Sequence, residues 1–279
     1  MLVWSEVCGE RPAVMGIVNV TPDSFSDGGR FLDPDAAVSH GLELAAAGAD
    51  LLDVGGESTR PGAEPVGEDE ELRRVLPVVR RLAVEGGVPV SIDTSKAAVA
   101  AAALDAGATI VNDVAAGADP DMFAAVATAG AGLVVMHMRG EPRTMQQDAH
   151  YDDVVVEVGD FLVDRLAAAR DAGIHRASLC ADPGLGFGKT AVHNLELLAR
   201  LGELVARVDV PVLVGPSRKS FIARVLGDDL VARDDGTLAT AVWAVDQGAR
   251  VVRVHDAGAA ADALRLLAVM DAIDAEAVA

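Results

Sequence analysis

Residues able to do chemistry recur at one kind of place in this sequence, at or just past the end of a short apolar run. Asn19, Asp53 with Glu57, Asp93, Asn112 with Asp113, His137, Asp182, Lys219, and Arg253 with His255 all stand there. Asp and Asn side chains can read the edge of a flat polar ligand, and Lys, Arg and His can donate to an anion. Any one carboxylate or amide could instead cap the next helix by accepting from its free N–H groups. Capping does not explain Lys219, Arg253 and His255, which are donors.

Four connecting segments stand out. The first, Thr21-Pro22-Asp23-Ser24-Phe25-Ser26-Asp27-Gly28-Gly29, is long and carries a Phe among Gly, Ser and Asp. The second runs from Gly55-Gly56-Glu57-Ser58-Thr59-Arg60-Pro61-Gly62 to about Gly67. Long loops of this kind are typical of lids over a site. The third, Asp182-Pro183-Gly184-Leu185-Gly186-Phe187-Gly188-Lys189-Thr190, ends like a phosphate loop. The required spacing puts a Gly at 183, where Pro stands, so that reading fails. A Gly-rich backbone lying close to a flat ligand fits better. The fourth, Gly215-Pro216-Ser217-Arg218-Lys219-Ser220-Phe221, leads a strand into a helix and suits an anion.

The elements that must position these residues repeat one unit. Apolar helix-like segments end at Gly48, Gly107, Gly130, Gly173 and Gly248, where a left-handed residue stops a helix. Short runs rich in Val and Ile follow. The runs are Val14–Val20, Asp50–Gly55, Val88–Asp93, Thr109–Val114, Gly132–Met138, Ser178–Asp182, Val210–Val214 and Arg250–His255. Strands this apolar are buried on both faces, as parallel strands are. Helices are expected over Ala36–Ala47 (with Asp33 as N-cap and Pro34 at N1), Glu70–Val84, Ser95–Asp105, Asp121–Ala129, Val154–Ala172 and Ala191–Val205. Two more, about Ser217–Leu226 and Thr237–Gln247, separate the last two strands, and Ala259–Ile273 closes the chain. Eight βα units in 279 residues predict an α/β fold, a single parallel (β/α)8 TIM barrel over residues 1–279 with about 1–13 as an N-terminal extension. Loops 1 and 2 would be its lids. The competitor is an open doubly wound sheet. In a barrel the strand-end residues converge on one face.

Composition narrows the partners. Lys plus Arg is 23 against 43 Asp plus Glu, a net charge of −20. That surface repels phosphate backbones, so no nucleic-acid partner is expected, although a few cations in a cleft can still attract a small anion. The two cysteines make neither a disulfide framework nor a zinc site, and Cys180 reads as a buried small hydrophobe. The six histidines are scattered, so a divalent ion, if used, would be Mg2+ on hard oxygen ligands. No signal core and no apolar stretch of about 18 residues is evident, so a soluble cytoplasmic protein without a membrane partner is expected.

The ordered set of motifs resembles one family. Asn19 to Gly29, Asp53 to Gly62, Ser91-Ile92-Asp93-Thr94, Asn112-Asp113, Met136 to Gln146, Asp182 to Lys189, Ser217-Arg218-Lys219 and Arg253 to Asp256 are similar to the successive signatures of dihydropteroate synthases. The resemblance spans residues 14 to 256 and implies condensation of 6-hydroxymethyl-7,8-dihydropterin diphosphate with 4-aminobenzoate. It implies that Asp93, Asn112, Asp182 and Lys219 hold the pterin, with Met136, Phe187 and Gly215 near its ring. Asn19, Arg60, Arg253 and His255 would hold the diphosphate, with Mg2+ contacting Asn19. Phe25, Asp27, Thr59, Arg60, Pro61 and Ser220 would border the aminobenzoate and form the lids. Lys219, Asp93, Arg253, His255 and Asn19 would be the catalytic set, and a homodimer is usual.

One departure is Pro216, where Thr or Ala is expected; it removes a backbone N–H and stiffens the turn. Rival readings are a methyltetrahydrofolate-dependent methyltransferase domain, a phosphosugar aldolase with Lys219 as Schiff base, and a non-catalytic pterin-binding protein.

Overall fold

All eight expected strands form in a computed structural model, which describes residues 1–21, 33–59, 62–140, 144–145, 149–227 and 230–278. They are β1 (Ala13–Asn19), β2 (Leu51–Gly55), β3 (Val90–Asp93), β4 (Ile110–Asp113), β5 (Gly132–Met136), β6 (Leu179–Asp182), β7 (Leu213–Val214) and β8 (Val251–Val254). Every pairing is parallel, in the order β6-β5-β4-β3-β2-β1-β8-β7. A parallel bridge between Ala181 and Val212 joins β6 to the segment entering β7, which closes the circle. An open sheet is thereby excluded, and the fold is a (β/α)8 barrel.

The helices are α1 (Trp4–Cys8), α2 (Pro34–Ala46), α3 (Glu68–Glu85), α4 (Ala97–Asp105), α5 (Met122–Ala129), α6 (Val154–Asp171), α7 (Ala191–Ala199), α8 (Leu201–Val208), α9 (Ser220–Leu226), α10 (Leu230–Asp246) and α11 (Ala257–Val278). Asp33 caps α2 as expected, accepting from Asp35 N at 2.9 Å. The five helix-stopping glycines all have positive φ, between 63° and 114°.

The barrel interior is layered by the two-residue period of its strands. Ala13, Met15, Leu51, Ile110, Val134, Cys180, Leu213 and Val251 form one buried apolar layer. Two residues further along six of these strands stand Asp53, Asn112, Met136, Asp182, Gly215 and Arg253, on the same inward face. The lower layer is thus a plug, and the upper layer carries the chemistry. The N-terminal segment completes the plug. Trp4 is fully buried in that layer, and its indole N–H donates to Ser178 O at 3.0 Å.

Several elements differ from the sequence expectation, among them helix α10, which begins at Leu230 rather than at Thr237. The seventh strand was expected over Val210–Val214 but contains two residues, because Pro211 has no N–H for the ladder. The helix expected over Ala191–Val205 breaks at Arg200 (φ −113°, ψ 23°), whose guanidinium bonds Asp153, Glu196 and Glu203. Helix α9 begins at Ser220 rather than Ser217, because Lys219 N closes a turn on Pro216 O at 3.2 Å.

Candidate active site

A cavity of about 630 Å³ opens at the C-terminal ends of the strands. Asn19, Thr59, Asp93, Phe187, Gly215, Lys219, Ser220, Arg253 and His255 line it, all expected from the sequence. Phe25, Asp27, Arg60 and Pro61 lie outside the described residues. Asn112, Met136 and Asp182 reach the cavity through neighbours. Asn112 Nδ2 donates to Asp53 Oδ2 at 2.9 Å, Met136 packs with Phe187 and Met145, and Asp182 acts by charge on Lys219. Asp53 also lies beneath the lining, and Asp113 and His137 are turned to other partners. Asp113 folds onto the amides of Ala115 and Gly117, and His137 is buried against Phe161 and Lys189.

The floor is an ion cluster. Arg253 donates from Nε to Asp53 Oδ2 at 2.6 Å and from Nη2 to Asp93 Oδ2 at 2.8 Å. One guanidinium serves two carboxylates, so their mutual repulsion is not fully offset. Burial, opposed by Arg253 and reinforced by Asp53, pushes the Asp93 carboxyl up to about 7. Burial likewise raises Asp182, against a hydrogen bond from Gly184 N at 2.7 Å. Lys219 is held down to about 8 by burial and by the charge of Arg253. Its ammonium sits 4.0 Å from the Phe187 ring centroid, a cation–π contact.

The Gly-rich connection after β6 is clamped from behind. Lys189, 2% exposed, donates to Gly184 O and Phe187 O, each at 3.0 Å, and meets His137 Nδ1 at 2.9 Å. At Gly184 (φ +66°) a side chain would collide with the carbonyl oxygen of His137, so the close approach requires glycine. This clamp fixes Gly186 and Phe187 on the cavity wall. On the opposite side Ser217 Oγ accepts from His255 N at 3.1 Å and lies 2.7 Å from its Nδ1.

Four cations, Arg218, Lys219, Arg233 and Arg253, line this one cavity in a chain of net charge −20. Their N–H groups are donors suited to an anionic substrate, although Arg253 and Arg218 are also paired with carboxylates. Arg218 has a left-handed backbone (φ +55°), held by Thr237 Oγ1 at 2.9 Å and by a two-point pair with Asp234 at 2.7 and 3.0 Å.

Residues 15–255 match the family model described as pterin binding enzyme. The chain is 52% identical over 262 residues to the dihydropteroate synthase of Mycobacterium leprae, covering 91% of this chain and 92% of that one. A solved structure of Xanthomonas albilineans dihydropteroate synthase with 4-aminobenzoic acid superposes with a TM-score of 0.88 at 51% identity, covering 94% of both chains. Another, in complex with 7,8-dihydropteroate, gives 0.84 at 47%, again covering 94% of both. The chain belongs to the dihydropteroate synthase family. As a member it is a pterin-binding transferase, and the family's reaction, dihydropteroate synthesis, belongs to folate biosynthesis.

Among the described residues no three His, Cys, Asp or Glu side chains come together as a metal cage. Asn19 offers the cavity a neutral hard-oxygen donor, which suits a Mg2+ ion that arrives on a phosphate-bearing substrate and keeps most of its own waters. Several dihydropteroate synthase cavity residues were not singled out from the sequence as site members. Met145 stood in a quoted motif but outside any strand end, and Arg233, in the first turns of a helix, carried no local signal. Ser217 stood in a quoted motif, but its bond to His255 joins positions 38 apart and shows only in three dimensions.

No helix among the described residues is long and apolar enough to cross a membrane.

Proposed function

We propose that this cavity condenses 6-hydroxymethyl-7,8-dihydropterin diphosphate with 4-aminobenzoate, giving 7,8-dihydropteroate and diphosphate. The observation that carries the reading is the meeting of Asp93 and Lys219 with Arg253 and His255 in one cavity, beside Phe187. A pterin edge presents N–H donors and ring acceptors side by side. Buried carboxylates at Asp93 and Asp182, with Asn112 and Lys219, complement that edge, and an analogue lacking a donor would leave a buried carboxylate unpaired. Met136, Phe187 and Gly215 would flank the ring.

The bond that breaks joins the pterin methylene to a diphosphate oxygen, and the bond that forms joins that carbon to the arylamine nitrogen. Positive charge developing on the methylene spreads into the pterin, which favours a dissociative, SN1-like path. The Asp93 and Asp182 carboxylates stabilise that charge in a water-poor site. Asn19, Arg60, Arg253 and His255 receive the departing diphosphate, with Ser217 fixing the imidazole. A Mg2+ ion on Asn19 would add positive charge at the leaving group. Phe25, Asp27, Thr59, Arg60, Pro61 and Ser220 would border the 4-aminobenzoate, with the first two loops as lids. The arylamine is nucleophilic at neutral pH, so no covalent enzyme intermediate is needed.

The same reading places the protein in the cytoplasm as a homodimer. Support for the dimer comes from adjacent helices α10 and α11, which expose Trp243, Leu266, Val269 and Met270 while burying Leu264. The test of the site is turnover and pterin binding in Lys219→Ala and Asp93→Asn. Both variants should fold and lose at least about 100-fold in turnover. Near-normal turnover in both would remove the pterin assignment.

A further inference from the structure

Lys96 stands at the N-cap of α4, outside the cavity lining, and the chemistry above does not use it. Its ammonium nevertheless gathers two carboxylates from two other elements. Nζ donates to Glu71 Oε2 at 2.6 Å and also to Glu57 Oε2. Glu71, in the first turn of α3, is fully buried, and its Oε1 has no partner among the described residues. Glu57 lines the cavity immediately before Ser58 and Thr59, and its Oε1 accepts from Val66 N at 3.1 Å. One ammonium therefore ties together α3, the chain leaving β2, and the start of α4, three residues after Asp93. Burial works against the charge on Lys96, and the bonds to Glu57 and Glu71 overcome it.

An ion triad in which Glu71 is buried and Lys96 and Glu57 are half-buried is a poor device for stability alone, because apolar side chains of similar volume hold such a junction at least as well. What it supplies is a fixed direction for Glu57. A carboxylate held at one oxygen by Lys96 and at the other by a backbone N–H has no rotational freedom left, and the two residues after it form a cavity wall. We propose that Lys96 is a positioning residue for the second substrate: it fixes Glu57 and, through it, the Ser58–Thr59 wall against which the arylamine is aligned. This rests on the assignment of Thr59 to the 4-aminobenzoate side made above.

The test is steady-state kinetics of the full chain with both substrates. Lys96→Met should raise the KM for 4-aminobenzoate about tenfold while the KM for the pterin diphosphate stays within about twofold. Lys96→Arg, which keeps the charge, should recover part of the loss. Lys96→Met leaves Glu71 buried without a partner, so the double variant Lys96→Met/Glu71→Gln is measured beside it. That variant should regain thermal stability yet keep the raised 4-aminobenzoate KM, because Glu57 is left with only its bond from Val66 N and can rotate about it. Recovery of KM together with stability, or an unchanged KM in the double variant, overturns the proposal. Thr59→Ala separates the two claims. An unchanged 4-aminobenzoate KM there refutes the wall assignment, whereas an effect in Thr59→Ala without one in the double variant refutes the positioning role alone.

Discussion

Arg253 Nε and Asp53 Oδ2 lie 2.6 Å apart although the residues are separated by 200 positions in sequence and by strand β1 in the sheet. Asp53 is fully buried and also accepts from Asn112, so one carboxylate joins β2, β4 and β8 across the barrel mouth. Replacing Asp53 by Ala leaves Arg253 with Asp93 alone and strands Asn112. The expected cost is about 3 kcal/mol or more in urea denaturation. A loss below about 1 kcal/mol, the size of an ordinary hydrogen bond, would mean that Asp53 does not anchor the floor.

The Asp93 carboxyl, raised from its ordinary 3.8 to about 7, links stability to pH. Between those values the folded chain keeps a proton that the unfolded chain releases. Stability from this group therefore falls as pH rises from about 4 to about 7 and is level above that. Lys189 and Lys219, lowered to about 7 and about 8, act in the opposite sense at higher pH, where unfolding takes up protons. Urea midpoints of wild type and Asp93→Asn between pH 5 and 9 provide the check. The wild-type minus variant difference should decline up to about pH 7 and then flatten. A difference that does not change with pH would remove the raised carboxyl.

Lys189 holds the Gly184 and Phe187 carbonyls, so Lys189→Met leaves the Gly184 carbonyl with only its bond from Phe187 N and takes the ammonium from the Phe187 carbonyl. A buried acceptor left unpaired costs about 1–3 kcal/mol. Because Phe187 rides on this connection, pterin affinity measured by titration calorimetry should weaken about tenfold. Binding of the pterin unchanged in a folded Lys189→Met would separate the clamp from the site.

The outward residues of α10 and α11 predict a dimer in sedimentation velocity. Leu266→Glu with Met270→Glu, both more than half exposed at 63% and 54%, should yield monomers of unchanged fold. A wild-type monomer at micromolar concentration would contradict the assembly.

Much of this was legible in the sequence because parallel-barrel strands are apolar on both faces and stopped by glycine. Leu51 and Asp53, or Val251 and Arg253, differ by one strand period, so the change from plug to chemistry shows directly in the residue order. Partners were harder to read. The choice of Arg253 for Asp53 and Asp93 depends on the circular strand order, which a linear pattern does not contain. Glu71 and Lys189 look like ordinary surface-helix and loop charges until the packing buries them. The break at Arg200 arises from a bond to Asp153, 47 positions away. Helix α1 is short and has no repeat, so its place as the floor of the barrel follows only from Trp4 being fully buried.

The most direct test mixes the purified protein with 6-hydroxymethyl-7,8-dihydropterin diphosphate, 4-aminobenzoate and Mg2+, and follows products by mass and by diphosphate release. Equal amounts of 7,8-dihydropteroate and diphosphate are predicted, with both lost in Lys219→Ala and both reduced when the metal is chelated. Folded protein that binds the pterin substrate but forms neither product would contradict the account.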